Sequence, residues 1–150
     1  MNSYELEYTN TPTMTVKFSL SGEDLNPDEI TKVLGISPSG AWSKGDPVPR
    51  QPNSRFIPRP SYPFGRWILH APCSNQDNFD IQINALLDVL ENLRPGINDL
   101  AKKYNGEISI AYSSSEDNFG FHFDMSLLQR IYVLGVELDI VVYPVCDKDD

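Results

Sequence analysis

The sequence predicts an α+β fold, in which three main helices pack against a mostly antiparallel sheet of about five strands. Two observations support this prediction. Short runs of alternating apolar and polar residues recur along the chain, as in strands with one buried face, and segments with helical spacing separate them. The order of segments is strand, helix, strand, two helices, two strands, helix, strand. The length of 150 residues suits a single domain with one core.

The first strand and the first helix lie within residues 13–36. Apolar and polar residues alternate over 16–20, which predicts a half-buried strand. Asn26 is followed by Pro27, and this pair is typical of a helix N-terminus because asparagine caps free amides and proline tolerates the first helical position. Gly35 predicts a left-handed C-cap that ends the helix.

The later elements follow from the same two periods. The last strand contains the apolar run LDIVVY, which predicts a central position in the sheet. Ser74 or Asp77 is expected to cap the longest helix. The predicted ranges are a strand at 66–70, helices at 77–93 and 97–104, a hairpin of strands at 107–112 and 119–123, a helix at 126–134 and a strand at 136–143.

An internal similarity joins two parts of the chain. Residues 16–36 and 119–138 both contain a predicted strand, a polar cap, a helix, a Leu-Gly pair and a branched aliphatic residue. One interpretation is a pair of related strand–helix–strand halves, as in ferredoxin-like folds. The other is that two unrelated helices end in the same common way.

Four segments carry a family resemblance. The run FSLSGEDLNPDEITKVLGISPS, the following GD pair, the strand RWIL and the C-terminal LGVELDIVVY together resemble the bacterial domain of unknown function 4279 family. The resemblance extends over residues 14–143. It implies a shared order of strands and helices. It implies no activity, because the family has no assigned chemistry from which a catalytic residue could be carried over.

The domain organisation is predicted from composition. We expect a flexible arm at 1–12, one α+β domain at 13–144 and an acidic tail at 145–150. The N-terminus has neither a basic start nor an apolar run, and no segment is apolar over the length of a membrane span. We therefore expect a cytoplasmic protein that does not enter a membrane.

Metal and cofactor chemistry is not expected. Cys73, Cys146 and His70 are each isolated in the sequence, without the spacing of metal ligands. Whether the cysteines pair is left open, and two reduced thiols are the simpler interpretation for a cytoplasmic protein. His122 lies two residues from Asp124 on one side of a predicted strand, but no nucleophile accompanies them and we expect no catalysis there.

Residues 37–65 form a long proline-rich loop with an unusual charge. Seven of the 12 prolines lie in it, and residues 41–70 contain five basic residues against one acidic one, although the net charge of the chain is −9. Arginine forks bind oxyanions and aromatic rings stack on flat ligands, so the loop is a candidate binding surface. The alternative is that its arginines pair with the acidic surface of the same protein. The candidate binding residues are Trp42, Lys44, Arg50, Arg55, Arg59 and Tyr62.

Two functions remain open from the sequence. The first is a non-enzymatic protein-interaction module, of an immunity or regulatory type, whose acidic surface masks a basic partner. Overall acidity disfavours binding to duplex DNA. The second is a small-ligand sensor or enzyme with a pocket between residues 41–65 and the sheet. An exposed apolar patch would favour the first function, and a deep pocket with a buried ionisable group would favour the second.

Overall fold

A computed structural model describes residues 13–49, 60–114 and 119–144 of the chain. It contains one five-stranded mixed sheet and four helices, which confirms the predicted α+β class. In chain order the elements are β1 (Thr13–Gly22), α1 (Pro27–Leu34), β2 (Gly40–Trp42), β3 (Gly65–His70), α2 (Phe79–Asn92), α3 (Gly96–Lys103), β4 (Asn105–Ser114), α4 (Met125–Leu134) and β5 (Glu137–Pro144).

The strand order in the sheet is β2-β3-β1-β4-β5. Three pairings are antiparallel, and β5 pairs in parallel with β4 after the chain passes through α4. This order differs from two ferredoxin-like halves, because β1 and β3 are antiparallel neighbours whereas β4 and β5 are parallel neighbours. The similarity noted in the sequence is confined to the two helices, which both end at a left-handed glycine, Gly35 and Gly135.

The helices cover one face of the sheet. Alternate residues of the three middle strands, such as Phe18, Trp67 and Ile110, join residues from all four helices in one core. The side chains between them point to the opposite face, which we call the open face. One face therefore holds the hydrophobic core, and the other is available to loops and ligands.

Three predicted features of the sheet are corrected. Residues 119–123 form no strand, because the place beside β4 is taken by β5. The alternating phenylalanines pack against a helix instead: Phe121 and Phe123 both contact the ring of Phe79 in α2. The short strand β2 was not predicted. β5 lies at the edge of the sheet and not at its centre.

The helix ends follow the local sequence. Asn26 caps α1 by accepting the backbone N–H of Asp28, and Gly35 ends the helix with φ of 75°. The cap of α2 is Asn78, whose side chain accepts from Ile81 at 3.0 Å, and the predicted caps are wrong. Asp77 instead accepts the backbone N–H of Ser74, so it closes the turn before the helix.

A glutamine completes one end of the sheet. β3 ends at His70, so the first residues of β1 lack a strand partner on that side. Gln82 of α2 is 2% exposed and takes that place. Its Nε2 donates to the carbonyl oxygens of Met14 and Asp77, both at 2.9 Å, and its Oε1 accepts the N–H of Val16 at 3.2 Å. The side chain thus satisfies buried backbone groups that would otherwise be unpaired.

Candidate functional site

The two described ends of the proline-rich loop run side by side. The N–H of Gly45 donates to the carbonyl of Tyr62, and the N–H of Tyr62 donates to the carbonyl of Asp46, both at 2.9 Å. The N–H of Val48 donates to the carbonyl of Pro60 at 3.0 Å. The Lys-Gly-Asp segment is therefore part of a turn at the base of the loop, which agrees with its turn chemistry.

The structure brings together two of the predicted binding residues. Trp42 and Tyr62 stack, with ring centroids 4.2 Å apart and 14° between the ring planes. Lys44 Nζ lies 3.8 Å from Oε1 of Glu23, and both side chains are largely exposed, so this ion pair contributes little. The other three predicted residues lie outside the described part of the chain: Arg50, Arg55 and Arg59.

The stacked rings border a basic region on the open face. Strand register places Arg66 of β3 opposite Trp42 of β2 and opposite Ser21 of β1. Further along β1, Lys17 lies opposite His70. Sequence reasoning did not join these basic residues, because they lie on different strands and only the register brings them to one face.

Ser19 of β1 lies between the two cations, Lys17 on the same strand and Arg66 on the neighbouring strand β3. It is 3% exposed, although it belongs to the open face, and its Oγ accepts from Nη2 of Arg66 at 3.2 Å. Two further donors in this region are buried, Nε of Arg66 and Nε1 of Trp42, and neither has a hydrogen-bond partner among the described residues. Buried donors are rarely left without partners in proteins, so we consider these two atoms candidate ligand-binding groups.

The basic groups influence one another. Burial lowers the pKa of the Lys17 ammonium, the nearby Arg66 charge lowers this pKa further, and Glu107 opposes both effects. Burial also lowers the pKa of His70, and the charge of Lys17 adds to that effect. Mutual repulsion of this kind indicates a local excess of positive charge.

The other half of the open face is acidic. Glu107 of β4 lies beside Glu137 of β5, and Asp139 follows two residues later on the same face. The open face is therefore divided into a basic half on β1 and β3 and an acidic half on β4 and β5.

A separate apolar surface lies on the helix side of β5. Leu138, Ile140 and Val142 share the face of the sheet that carries the core, yet they are 36%, 42% and 40% exposed. We call these three residues the β5 stripe. The helices pack over β1, β3 and β4, so the described residues cover the stripe only in part.

A cleft of about 430 Å³ lies between the start of α2 and residues 119–122, at the end of the sheet where β1 begins. Its walls include Phe79, Tyr112 and His122, and none of its described lining residues comes from 41–49 or 60–65. Asp124, which the sequence placed beside His122, accepts the backbone N–H of Leu127 at 2.7 Å and caps α4.

A comparison with protein-family models gives one match. The family described as domain of unknown function DUF4279 matches residues 11–145. The chain belongs to this family. No curated protein and no solved structure matches the chain. The family match agrees with the resemblance seen in the sequence, and it covers every strand and helix that the structure describes in this DUF4279 domain.

Among the described residues of the DUF4279 domain, no cluster of three or more histidine, cysteine or acidic side chains could hold a metal ion. Among the helices that the structure describes, none combines the length and the hydropathy needed to cross a bilayer. Cys73 is a free, half-buried thiol whose pKa is raised by burial and then by Asp77, and Cys146 lies outside the described residues.

Proposed function

We propose that this DUF4279 domain is a non-enzymatic protein-interaction module, of a regulatory or immunity type, that binds a strand of a basic partner along β5. The supporting observation is the β5 stripe. Its three aliphatic side chains lie opposite residues of β4 that are at most 8% exposed: Ile108, Ile110 and Tyr112. An apolar run with the composition of a central strand at the edge of a sheet is typical of a surface that a partner covers.

The backbone of β5 provides the second contact. β5 pairs only with β4 in the described structure, so the N–H and C=O groups on its other side are free of strand partners there. An added strand would pair with these groups and continue the sheet, which is a common mode of peptide recognition. Alternate side chains of that strand would extend the apolar surface of the stripe.

Charge selects the kind of partner. Glu137 and Asp139 lie on the open face of β5, with Glu107 beside them on β4, and the net charge of the whole chain is −9. A strand with basic residues on that face would neutralise these carboxylates, whereas a second copy of this chain would add two more to the same face. A basic partner therefore fits better than a homodimer, and opposite charge would speed the encounter.

A synthetic peptide tests this function. A nine-residue peptide that alternates valine with lysine is titrated into ¹⁵N-labelled protein, and a peptide that alternates valine with glutamate serves as the matched probe. We expect the lysine peptide to shift the β5 amide resonances and the glutamate peptide to leave them unchanged. Equal responses to both peptides, or shifts confined to another surface, would contradict the proposal.

A pair of variants sharpens the test. Ile140→Lys places a charge in the stripe and is expected to weaken lysine-peptide binding roughly tenfold or more. Ile81→Lys makes the same change on α2, where Ile81 is 50% exposed, and should bind like the wild type. Sedimentation of the free protein tests whether a second copy of this chain binds β5 instead. If the wild type self-associates and Ile140→Lys does not, the partner of β5 is a second copy and not a basic protein.

A second candidate function is a small-ligand sensor with its ligand between residues 41–65 and the open face of the sheet. The observation that favours it is the pair of buried donors, Nε of Arg66 and Nε1 of Trp42, without a partner in the described structure. This candidate uses a different surface from β5, so one function can fail without the other.

A further inference from the structure

We propose that the basic half of the open face binds a small oxyanion, a carboxylate or a phosphate group, between Arg66 and Lys17. This proposal deepens the ligand-sensor candidate and depends on it, and it is independent of β5. The ligand would lie over Ser19 and against the stacked rings of Trp42 and Tyr62.

The floor of this site is made by small hydroxyl residues. Ser19 is 3% exposed and Ser109, which lies opposite Lys17 on β4, is 7% exposed. A serine hydroxyl can donate a hydrogen bond to an oxyanion. Arg66 reaches across this floor, since Ser21 and not Ser19 is its register partner, and its Nη2 nevertheless donates to Ser19.

The cations lack acidic partners at contact distance. The ion pairs in the described part of the chain involve Lys44 and Arg130, and neither Lys17 nor Arg66 takes part in one. Glu107 acts on Lys17 only through its charge, and Arg66 contacts a neutral hydroxyl. A partly buried guanidinium without a carboxylate gains more from an added oxyanion than an exposed one, because water screens the interaction less.

The donors have the chemistry of an oxyanion site. A guanidinium offers parallel N–H groups that match two oxygens of a carboxylate or phosphate, and a lysine adds a point charge. Nε of Arg66 is one such N–H and is unused among the described residues. The indole N–H of Trp42 is another, and it belongs to the residue directly opposite Arg66. These two donors together would hold the ligand from the β2 and β3 side.

The acidic half of the face sets a boundary. Glu107 lies opposite Ser19 on β4, on the side away from β3. It repels an anion toward Arg66 and Trp42, so the site is confined to the side of the face nearer β3 and β2. The stack formed by Trp42 and Tyr62 gives this end a flat aromatic wall, against which the organic part of a ligand could pack.

The test is a titration followed by side-chain N–H resonances. Inorganic phosphate and acetate are added separately to ¹⁵N-labelled protein at constant ionic strength. We expect the indole resonance of Trp42 and the Nε–H resonance of Arg66 to shift. The indole of Trp67 donates to Thr31 on the helix side, so it serves as an internal control that should not move. A response to phosphate alone, to acetate alone or to both identifies the preferred oxyanion, and each supports the proposal.

Three variants separate this site from general charge effects. Arg66→Gln and Lys17→Gln are each expected to weaken oxyanion binding roughly tenfold, the loss of one charged donor. Lys102→Gln removes an exposed charge from α3 and should leave binding unchanged. Absence of any shift at Trp42 and Arg66 up to tens of millimolar of both anions, or equal affinity in wild type and Lys17→Gln, would overturn the proposal. Binding of the lysine peptide to β5 should persist in both site variants, so the two proposals are tested separately.

Discussion

Ile140 lies directly opposite Ile110 across the parallel pair of β4 and β5, yet Ile110 is fully buried and Ile140 is 42% exposed. The difference arises because the helices pack over β1, β3 and β4 and stop before the edge. On the β5 side, the sheet therefore extends one strand beyond its helical cover. This mismatch is what makes the helix side of β5 a binding surface in the proposed function.

The buried glutamine gives the first prediction. Gln82→Leu keeps the volume but removes three hydrogen bonds, and it leaves the N–H of Val16 and the carbonyl oxygen of Met14 unpaired in the interior. We expect the free energy of unfolding to fall by about 3 kcal/mol. Urea unfolding followed by circular dichroism measures it. Gln129→Leu, on the exposed part of α4, is the control and should change stability by less than about 0.5 kcal/mol.

The end of α1 gives the second prediction. Gly35 has φ of 75°, a conformation that a branched side chain rejects, so Gly35→Val should lower the free energy of unfolding by about 1 kcal/mol or more. Gly40→Val is a matched control. An added Cβ meets nothing within 4 Å at either glycine, and Gly40 lies in a strand where valine is accepted. Equal denaturant midpoints for the two variants would contradict the role of the left-handed cap.

The contact between α2 and α4 gives the third prediction. Arg130 of α4 donates to Asn84, Asp88 and Glu91 of α2, at distances between 2.6 and 3.1 Å. Arg130→Met should lower the free energy of unfolding by up to about 1 kcal/mol, the upper end for a solvent-exposed ion pair, because several partners share one guanidinium. The difference from wild type should shrink in 1 M NaCl, because salt screens ion pairs. Arg94→Met, which removes a single exposed bond to Asn98, should have a smaller and less salt-dependent effect.

The pH dependence of His70 gives the fourth prediction. Burial and the charge of Lys17 lower its pKa from the ordinary value of 6.5 in the folded state. As the pH falls below 6.5, the unfolded chain therefore takes up the proton first, and the folded state loses stability. Wild type should lose more stability than His70→Gln between pH 7.5 and 5.5. In Lys17→Met the pKa of His70 should rise, and an NMR titration of the imidazole would show no such rise if Lys17 did not act on it.

Local signals in the sequence predicted most of the helices. Asn26, Pro27 and Gly35 define the ends of α1 as expected, since capping depends only on residues close in the chain. The cap of α2 was assigned to Ser74 or Asp77, because several polar residues precede that helix and only the hydrogen bonds show that Asn78 is used.

Strand pairing was less accessible to sequence reasoning. Alternation over 119–123 correctly separated the packed Phe121 and Phe123 from His122, but alternation does not say whether a segment pairs. The run LDIVVY has the composition of a strand covered on both faces, and it lies at an edge. Among the described residues no further strand pairs with this run, and its composition is what the proposed interaction surface would explain.

The candidate sites show the same contrast between features set by residues close in the sequence and features set by strand pairing. Trp42 and Tyr62 were selected from the sequence as aromatic residues of one loop, and they stack. Lys17, Arg66 and His70 were not grouped, because their strands are far apart in sequence and side-chain alternation gives a face only once the register is known. The β5 stripe was missed for a similar reason, since its exposure depends on where the helices end.

Gln82 also decides how the two layers of the domain fit together. Hydrophobic contacts are not directional, so a helix held by them alone can slide or rotate on a sheet with little penalty. Two directional hydrogen bonds from one side chain of α2 to Met14 and Val16 of β1 favour a single position and rotation. The third bond, to Asp77 just before the helix, orients that side chain. Apolar residues elsewhere under α2 can therefore be exchanged for others of similar volume without a shift of the helix, because its alignment is set by a polar side chain.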